Sequence, residues 1–565
     1  MRILRNPEKI KNDITYGIIE SGEGSEKLSS DFRYIFDDKL KLGDAVRLDA
    51  VDAESNDPGR EYEMYICCAY DHEDAVRSLS AKGFVYGKDF LFAEDFFCLL
   101  DDWKYSNVAY KSCSGKPTDS FRAVVLGYTA KHGIVLPEDP HREILTEKHL
   151  SKSNSHAVQR FFHVLYLIPA LLSAVPQLFA KSNDYNGFDR ICFSSVSDAI
   201  RFKSDHPDAA GKVITVEELK AHTFGSLYMR AVYRDRRQNS CSCNIPFNTL
   251  WVGRSGTARL CDCPDYLDIS LGNIGVTDTF AVWNSPLAKI IRLSVINNTY
   301  TFCSRNLCGK LSAGNESSSL LDRREVSGYD HPLNINVAND YVCNLHCPSC
   351  RKCIHAKNDE NEETEIRCCI DSLFGSGWLE KADKLLVGGG GEAFLSGNYK
   401  RVIYGGSEKR NSIIIMTNGT LFTESEWEKL EGRYEHTGFM VSVDAAGKET
   451  YEKVRCGGSF ERLMKNMDFL SELRRLNKVD SVKVIMIVQK ANYTEIPAFI
   501  RWAKDKGFDG VSLSHIRNWG TYDDRDFYEN VSMFDMSGNM KPELAEVLAD
   551  PVCMDPMVNT SWKAQ

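Results

Sequence analysis

Between Leu333 and Ile516 the chain alternates between apolar runs and amphipathic runs. LNINVAND, DKLLVGG, SIIIMTN, FMVSVDA, VKVIMIV and GVSLSHI each read as a buried strand. Helical patterns fill the intervals. The clearest spans Ser459–Asn477, where Phe460, Leu463, Met464, Met467, Leu470 and Leu473 recur on one face. Another runs from about Thr494 to Lys506, with Pro497 tolerated in its first turn and Gly507 as a stop. Strands alternating with helices predict an α/β fold with a parallel sheet and right-handed crossovers. Six units are too few for a closed eightfold barrel and suit an open, partial (β/α)6 TIM-like barrel. The chemistry then belongs at the C-terminal ends of the strands.

The rest of the chain is less regular. Residues 1–105 read as a small α/β module: Tyr62–Tyr70 as a buried strand, Asp71–Gly83 as a helix with a glycine stop, then FVYGKDFLFAEDF. This stretch resembles Rossmann-like modules found beside sugar-modifying and radical enzymes. It carries no GxGxxG, so a scaffold or docking role is expected. Residues 106–235 form a mixed or helical region without assigned chemistry, holding one strand–helix unit, ICFSSVSDAIRFKSD. Within it, Phe161–Ala180 has no Asp, Glu, Lys or Arg over 20 residues, long enough to span a bilayer. His163, Pro169, Pro176 and Gln177 interrupt it, so a buried or kinked helix or a membrane-facing surface is expected instead of a span. Residues 236–315 bear cysteines and Ser312–Asp330 reads as a polar linker; the regular core covers 325–520, and 521–565 form a tail.

Length and composition narrow the class. At about 150 residues per domain, 565 residues suggest several domains. Hydrophobic residues at 43% and charged residues at 26% exclude a disordered or collagenous chain. A formal charge of −10 argues against a nucleic-acid partner or an anionic membrane surface. MRILRNPEKIKNDITYG has no apolar core of a secretory signal, so a cytoplasmic location is expected. In a reducing compartment clustered thiols suggest metal, and ten of the 19 cysteines lie between Cys241 and Cys353.

After the first core strand comes Cys343-Asn-Leu-His-Cys347-Pro-Ser-Cys350, a C-x3-C-x2-C spacing. Three thiolates on one short loop suit three irons of a cubane cluster and leave the fourth iron open. A zinc knuckle is the competing reading, since Cys353 adds a further C-x2-C and His346 and His355 are near. The neighbouring strand ends favour the cluster. The second ends in a glycine run through Gly389, Gly390 and Gly391 to Glu392, the third in Thr417-Asn418-Gly419, the fourth in Ser442-Val-Asp444. Polar or glycine-rich groups at successive strand ends line one mouth, which a zinc knuckle does not need.

With these motifs, the region from about Leu333 to Asn518 resembles the radical S-adenosylmethionine (radical SAM) superfamily, especially members with SPASM or twitch extensions. The resemblance implies that Cys343, Cys347 and Cys350 hold a 4Fe-4S cluster whose open iron chelates SAM. Gly389, Gly390, Gly391 and Glu392 match the segment that contacts the SAM amino group. Ser442 and Asp444 match the ribose-facing strand end, with Asn418 in the same mouth. SVDAAGKETYEKVRCGGSFERL makes Arg455 a candidate for the SAM carboxylate. Gln489 and Asn492 are further candidates, and His515 and Arg517 follow the sixth strand. Ser349 stands where the family often has an aromatic residue, and Ala393 where it usually has proline. Cys353 is read as free or structural and Cys456 as a packed bystander.

A second cysteine set, Cys243-x12-Gly256-x4-Cys261 followed by Cys303-x4-Cys308, resembles a twitch or half-SPASM domain, with LGNI and WNS between. That resemblance implies an auxiliary 4Fe-4S cluster on Cys243, Cys261, Cys303 and Cys308, with Cys241 and Cys263 as near neighbours; a four-thiolate zinc site is the alternative. The expected activity is reductive SAM cleavage to a 5′-deoxyadenosyl radical that abstracts hydrogen from a peptide or carbohydrate substrate. An external electron donor of flavodoxin or ferredoxin type is implied as a partner. The rival readings are a zinc-stabilised binding protein and an iron–sulfur electron carrier that does not cleave SAM.

Overall fold

The computed structural model describes most of residues 10–96, 190–215 and 243–304, together with 108–111, 218, 308, 311 and 330–560 apart from 407–408. The apolar stretch 161–180, nearly all of the linker and Cys241 lie outside the described residues. No helix among the described residues is long and apolar enough to cross a membrane.

At the N-terminal end, β1 (Thr15–Ser21), α1 (Ser25–Phe36), β2 (Lys41–Arg47), β3 (Met64–Ala69), α2 (His72–Ala81) and β4 (Phe90–Phe92) form one α/β unit. Its sheet is parallel in the order β2-β1-β3-β4. Every residue of MYICCA in β3 is buried, as a parallel strand covered on both faces requires. Then β5 (Val108–Lys111), β6 (Arg190–Phe193), α3 (Val196–Asp205) and β7 (Val213–Thr215) supply a second, three-stranded parallel sheet.

The largest sheet begins in the cysteine-bearing segment with β8 (Thr249–Val252), β9 (Thr257–Arg259) and β10 (Gly272–Asn273), after which α4 (Pro286–Ile296) follows. It continues through β11 (Asn334–Val337), α5 (Glu360–Gly375), β12 (Lys384–Val387), α6 (Gly397–Tyr404), β13 (Arg410–Thr417), α7 (Glu424–Leu430) and β14 (Tyr434–Ser442). The last elements are α8 (Lys448–Val454), α9 (Phe460–Arg475), β15 (Ser481–Val488), α10 (Ile496–Asp505), β16 (Gly510–His515) and β17 (Val558–Thr560). The order is β10-β9-β8-β11-β12-β13-β14-β15-β16-β17, with β8 and β11–β17 mutually parallel and β9 and β10 antiparallel to their neighbours. The six core strands therefore stand where the apolar runs predict them. Two features extend the expected sixfold core: β8 pairs in register with β11, Asn334 against Thr249 and Val337 against Val252, and the tail contributes β17 beside β16.

Ile335, Val337, Leu385, Val387, Ile413, Ile415, Val441, Val484 and Leu513 are all at most 1% exposed, which puts the core against the sheet. Helix α9 covers it with Leu463, Met467, Leu470 and Leu473, while Phe460 and Met464 are only partly buried. Ser459 caps its start by accepting the Arg462 N–H.

Candidate functional site

The site is built on the segment just beyond β11. Asp340, 1% exposed, is the hub. Its Oδ1 accepts the Val342 N–H at 3.0 Å and the Asn358 amide at 3.3 Å. Its Oδ2 accepts the Ser396 hydroxyl at 2.5 Å and the Asn398 amide at 3.1 Å. Tyr399 Oη donates to the Asp340 carbonyl at 2.7 Å. A buried carboxylate is tolerated only when bonded this fully. The hub locks the start of the cysteine loop to the first turn of α6, and so to the segment after β12.

The glycine run lies against the same backbone. A Cβ on Gly390 would sit 2.8 Å from the Asp340 carbonyl, and one on Gly391 would be 2.9 Å from that oxygen. Only glycine permits this approach. Glu392 donates its own N–H to the Val342 carbonyl at 2.7 Å. Its carboxylate is 1% exposed and accepts the Thr417 hydroxyl at 2.6 Å, the Asn418 N–H at 2.7 Å and the Phe394 N–H at 3.1 Å. Burial raises its pKa, and these donors pull against the rise. Glu392 thus joins the end of β12 to the end of β13.

Cys343, Cys347 and Cys350 occupy eight consecutive residues. Cys343 and Cys347 are buried and Cys350 is exposed. Each sulfur faces a nitrogen donor. Leu345 N–H lies 3.4 Å and Asn418 Nδ2 3.9 Å from Cys343 Sγ. Arg455 Nη1 is 3.7 Å from Cys347 Sγ, and Arg351 Nη2 is 3.3 Å from Cys350 Sγ. Burial raises both buried thiols, and the Arg455 charge opposes the rise at Cys347. Arg455 also pairs with Asp444 at 2.8 Å. Asp444 holds a φ of 68°, fixed where its Oδ1 accepts the Ile487 N–H at 2.7 Å and its carbonyl accepts the Asn492 amide at 2.8 Å. Burial raises the Asp444 carboxyl, and Arg455 works against it.

Glu392, Asn418, Asp444 and Arg455 thus adjoin the cysteine loop, and Asn492 supports Asp444. Ser442 ends β14 in register with Ile485. Gln489 is buried, and its N–H is received by Asn492 at 2.8 Å. His515, half-buried beside Phe534, has its pKa lowered by burial. Asp340 and Arg351 escaped the sequence reading; an Asn-Asp pair directly after a core strand was the available signal for the first.

Among the described residues no three His, Cys, Asp or Glu side chains converge as a ready metal site. The donor set nonetheless fits a three-thiolate cluster: the thiols are free, share one loop and are met by cationic or amide N–H groups. Arg455 Nε and Tyr451 Oη are buried without a partner, unspent polarity beside Cys347.

The second set is arranged differently. Strand β9 runs back along β8, and Cys261 and Cys263 follow it. Burial raises the Cys261 thiol, and the Cys243 charge adds to the rise. Burial also raises Cys263, where Arg517 opposes it and Cys308 adds to it. Cys243 and Cys303 pack against one small cluster of Phe247, Val295 and Tyr300.

No family model matches the chain. Among curated proteins it is 28% identical over 169 residues to the AdoMet-dependent heme synthase of Methanosarcina barkeri, covering 29% of this chain and 45% of that protein. It is 25% identical over 197 residues to the antilisterial bacteriocin subtilosin biosynthesis protein AlbA of Bacillus subtilis (34% and 40% covered). It is 25% identical over 183 residues to the mycofactocin maturase MftC of Mycolicibacterium smegmatis (32% and 44% covered). The chain spans less than half the length of these relatives. Among solved structures, Streptococcus suis SuiB bound to S-adenosylmethionine aligns at 14% identity and a TM-score of 0.27, covering 52% of this chain and 66% of that one.

Proposed function

We infer that this chain, a radical SAM superfamily enzyme, uses Cys343, Cys347 and Cys350 to hold a 4Fe-4S cluster and the mouth above β12–β14 to hold SAM. Cluster and SAM together supply reductive cleavage of the sulfonium and hydrogen abstraction from a substrate C–H bond. The chain's own residues bind, orient and shield. Gly390 and Gly391 let the backbone after β12 press against the start of the cysteine loop, where a side chain would block it. Glu392 stiffens the junction between the second and third strand ends, with Gly389 before it and Asn418 beside it. Arg455, fixed by Asp444, presents a cation next to Cys347. Ser442 stands at the rim of the same mouth. The observation that carries this reading is the three-thiol loop locked by Asp340 against a glycine run.

We read Cys243, Cys261, Cys303 and Cys308 as ligands of an auxiliary 4Fe-4S cluster, supported by Cys243 and Cys303 packing on one small cluster and by the Cys243 charge reaching Cys261. Cys263 stands in the same relation to Cys308 and is the natural substitute. The substrate is read as a peptide, in keeping with relatives named as a bacteriocin biosynthesis protein and a maturase. A carbohydrate remains the second reading, carried by the parallel N-terminal α/β unit. The electron donor is read as a flavodoxin or ferredoxin.

Anaerobically reconstituted protein, reduced with dithionite, should release 5′-deoxyadenosine from SAM. Cys347→Ala should abolish that release and Cys353→Ala should not. A colourless, zinc-loaded protein that leaves SAM intact would refute the assignment.

A further inference from the structure

Arg351 follows the third motif cysteine directly. Its guanidinium is spent on three acceptors from two segments. Nη1 donates to the Tyr341 carbonyl at 2.8 Å, ahead of the loop. Nη2 donates to Cys350 Sγ at 3.3 Å and to the Gly390 carbonyl at 3.1 Å, in the glycine run. Cys350 is the exposed member of the three thiols, whereas Cys343 and Cys347 are held by burial as well. The fork therefore supplies for the third sulfur what packing supplies for the other two, and it does so from a half-buried position where its charge is only partly screened.

We propose that Arg351 is a positioning residue that ties the third cluster ligand to the SAM-facing glycine run and sets the reduction potential of the cluster. The inference rests on the reading of the site given above. Two physical effects act together. An N–H···S bond and a nearby cation both stabilise the more negative, reduced cluster, which raises its potential. The same fork bridges sulfur and Gly390, so a ligand seated on the glycine run and a change at the third sulfur are felt through one rigid group. Lysine keeps the charge but offers no planar fork.

The test uses the reconstituted full-length protein with Arg351→Gln and Arg351→Lys, read by iron content, by potentiometric titration followed by electron paramagnetic resonance, and by equilibrium SAM binding. R351Q should keep its iron, titrate at a more negative midpoint potential and bind SAM about tenfold more weakly. R351K should recover the potential in part but not the SAM affinity. Should R351Q shed its iron, R351K decides: retained iron with a displaced potential supports the tether. Wild-type potential and wild-type SAM affinity in R351K overturn it, as they do in R351Q. A wild-type protein holding zinc and no iron sinks the reading of the site itself. A wild type that holds the cluster beside an unmoved R351Q sinks the tether alone.

Discussion

The two cysteine sets of this chain are built on opposite plans. The first lies on eight consecutive residues beyond one strand, and its sulfurs are met by donors that are themselves held in place: Asn418 by Asn344, Arg455 by Asp444. The second is drawn from three stretches around residues 243, 261–263 and 303–308, the middle one just after β9. In the first, the chain has already spent the entropy of ordering the loop, through the Asp340 hub and the glycine contact. In the second, the sulfurs come from stretches far apart in sequence: the segment before β8, the one after β9 and the turn after α4. A local motif carries much of its geometry in its spacing, whereas a dispersed one borrows its geometry from the fold.

The sharpest way to break this contrast is to remove one sulfur from each set. Cys347→Ala should reduce SAM cleavage to background, while Cys261→Ala should keep it and lose roughly half the iron. Chromatography of 5′-deoxyadenosine with an iron assay decides; identical phenotypes would make the two sets one unit. Next in size is the hub. Asp340→Ala leaves the Val342 N–H and the Ser396 hydroxyl without their acceptor, and the Asn358 and Asn398 amides with Glu363 alone. It should cost about 3 kcal/mol in urea denaturation. In the second region the corresponding losses are smaller. Ser285, which caps α4 by accepting the Ala288 N–H, should cost about 1 kcal/mol when changed to alanine. Asp268→Ala, which removes the partly exposed Arg259 pair, should cost less than about 1 kcal/mol.

The smallest effect concerns acid. Burial pushes the Asp509 carboxyl up, but the Arg474 fork and the Val482 N–H outweigh it and hold the group below the usual carboxylate range. A depressed folded pKa gives stability that is present above the unfolded carboxyl pKa and drains as pH falls through the folded one. Asp509→Asn should therefore flatten the acid limb of a thermal-stability profile, leaving neutral stability as the point of comparison.

How much was legible has its cause in the same physics. The six core strands and the helices α9 and α10 show in sequence because their patterns are periodic and long. On α9 the apolar pattern did not show that a polar group joins the buried face: Asn466 is buried and donates to the Gly419 carbonyl at 2.8 Å. Strand β8 reads as four residues, TLWV, and its partner β11 begins 85 residues later, so no local pattern announces the pairing. Strand β17 is VNT, with a single apolar residue, and exists through its neighbour β16. Among site residues, those in the loop motif and the glycine run were named from spacing and resemblance. Asp340 and Arg351 were not, because their roles lie in bonds to carbonyls and amides that no residue pattern encodes.

Strand β17 has a further consequence. Its three pairings mask the outer flank of β16, where Val511 and Leu513 stand on an apolar strand. A protease that cut just before Val558 would bare unpaired backbone donors and acceptors there, the kind of sticky seam along which copies zip together. The last described residues work as a safety catch against self-association, and trimming them should show first as light scattering, well before any catalytic defect.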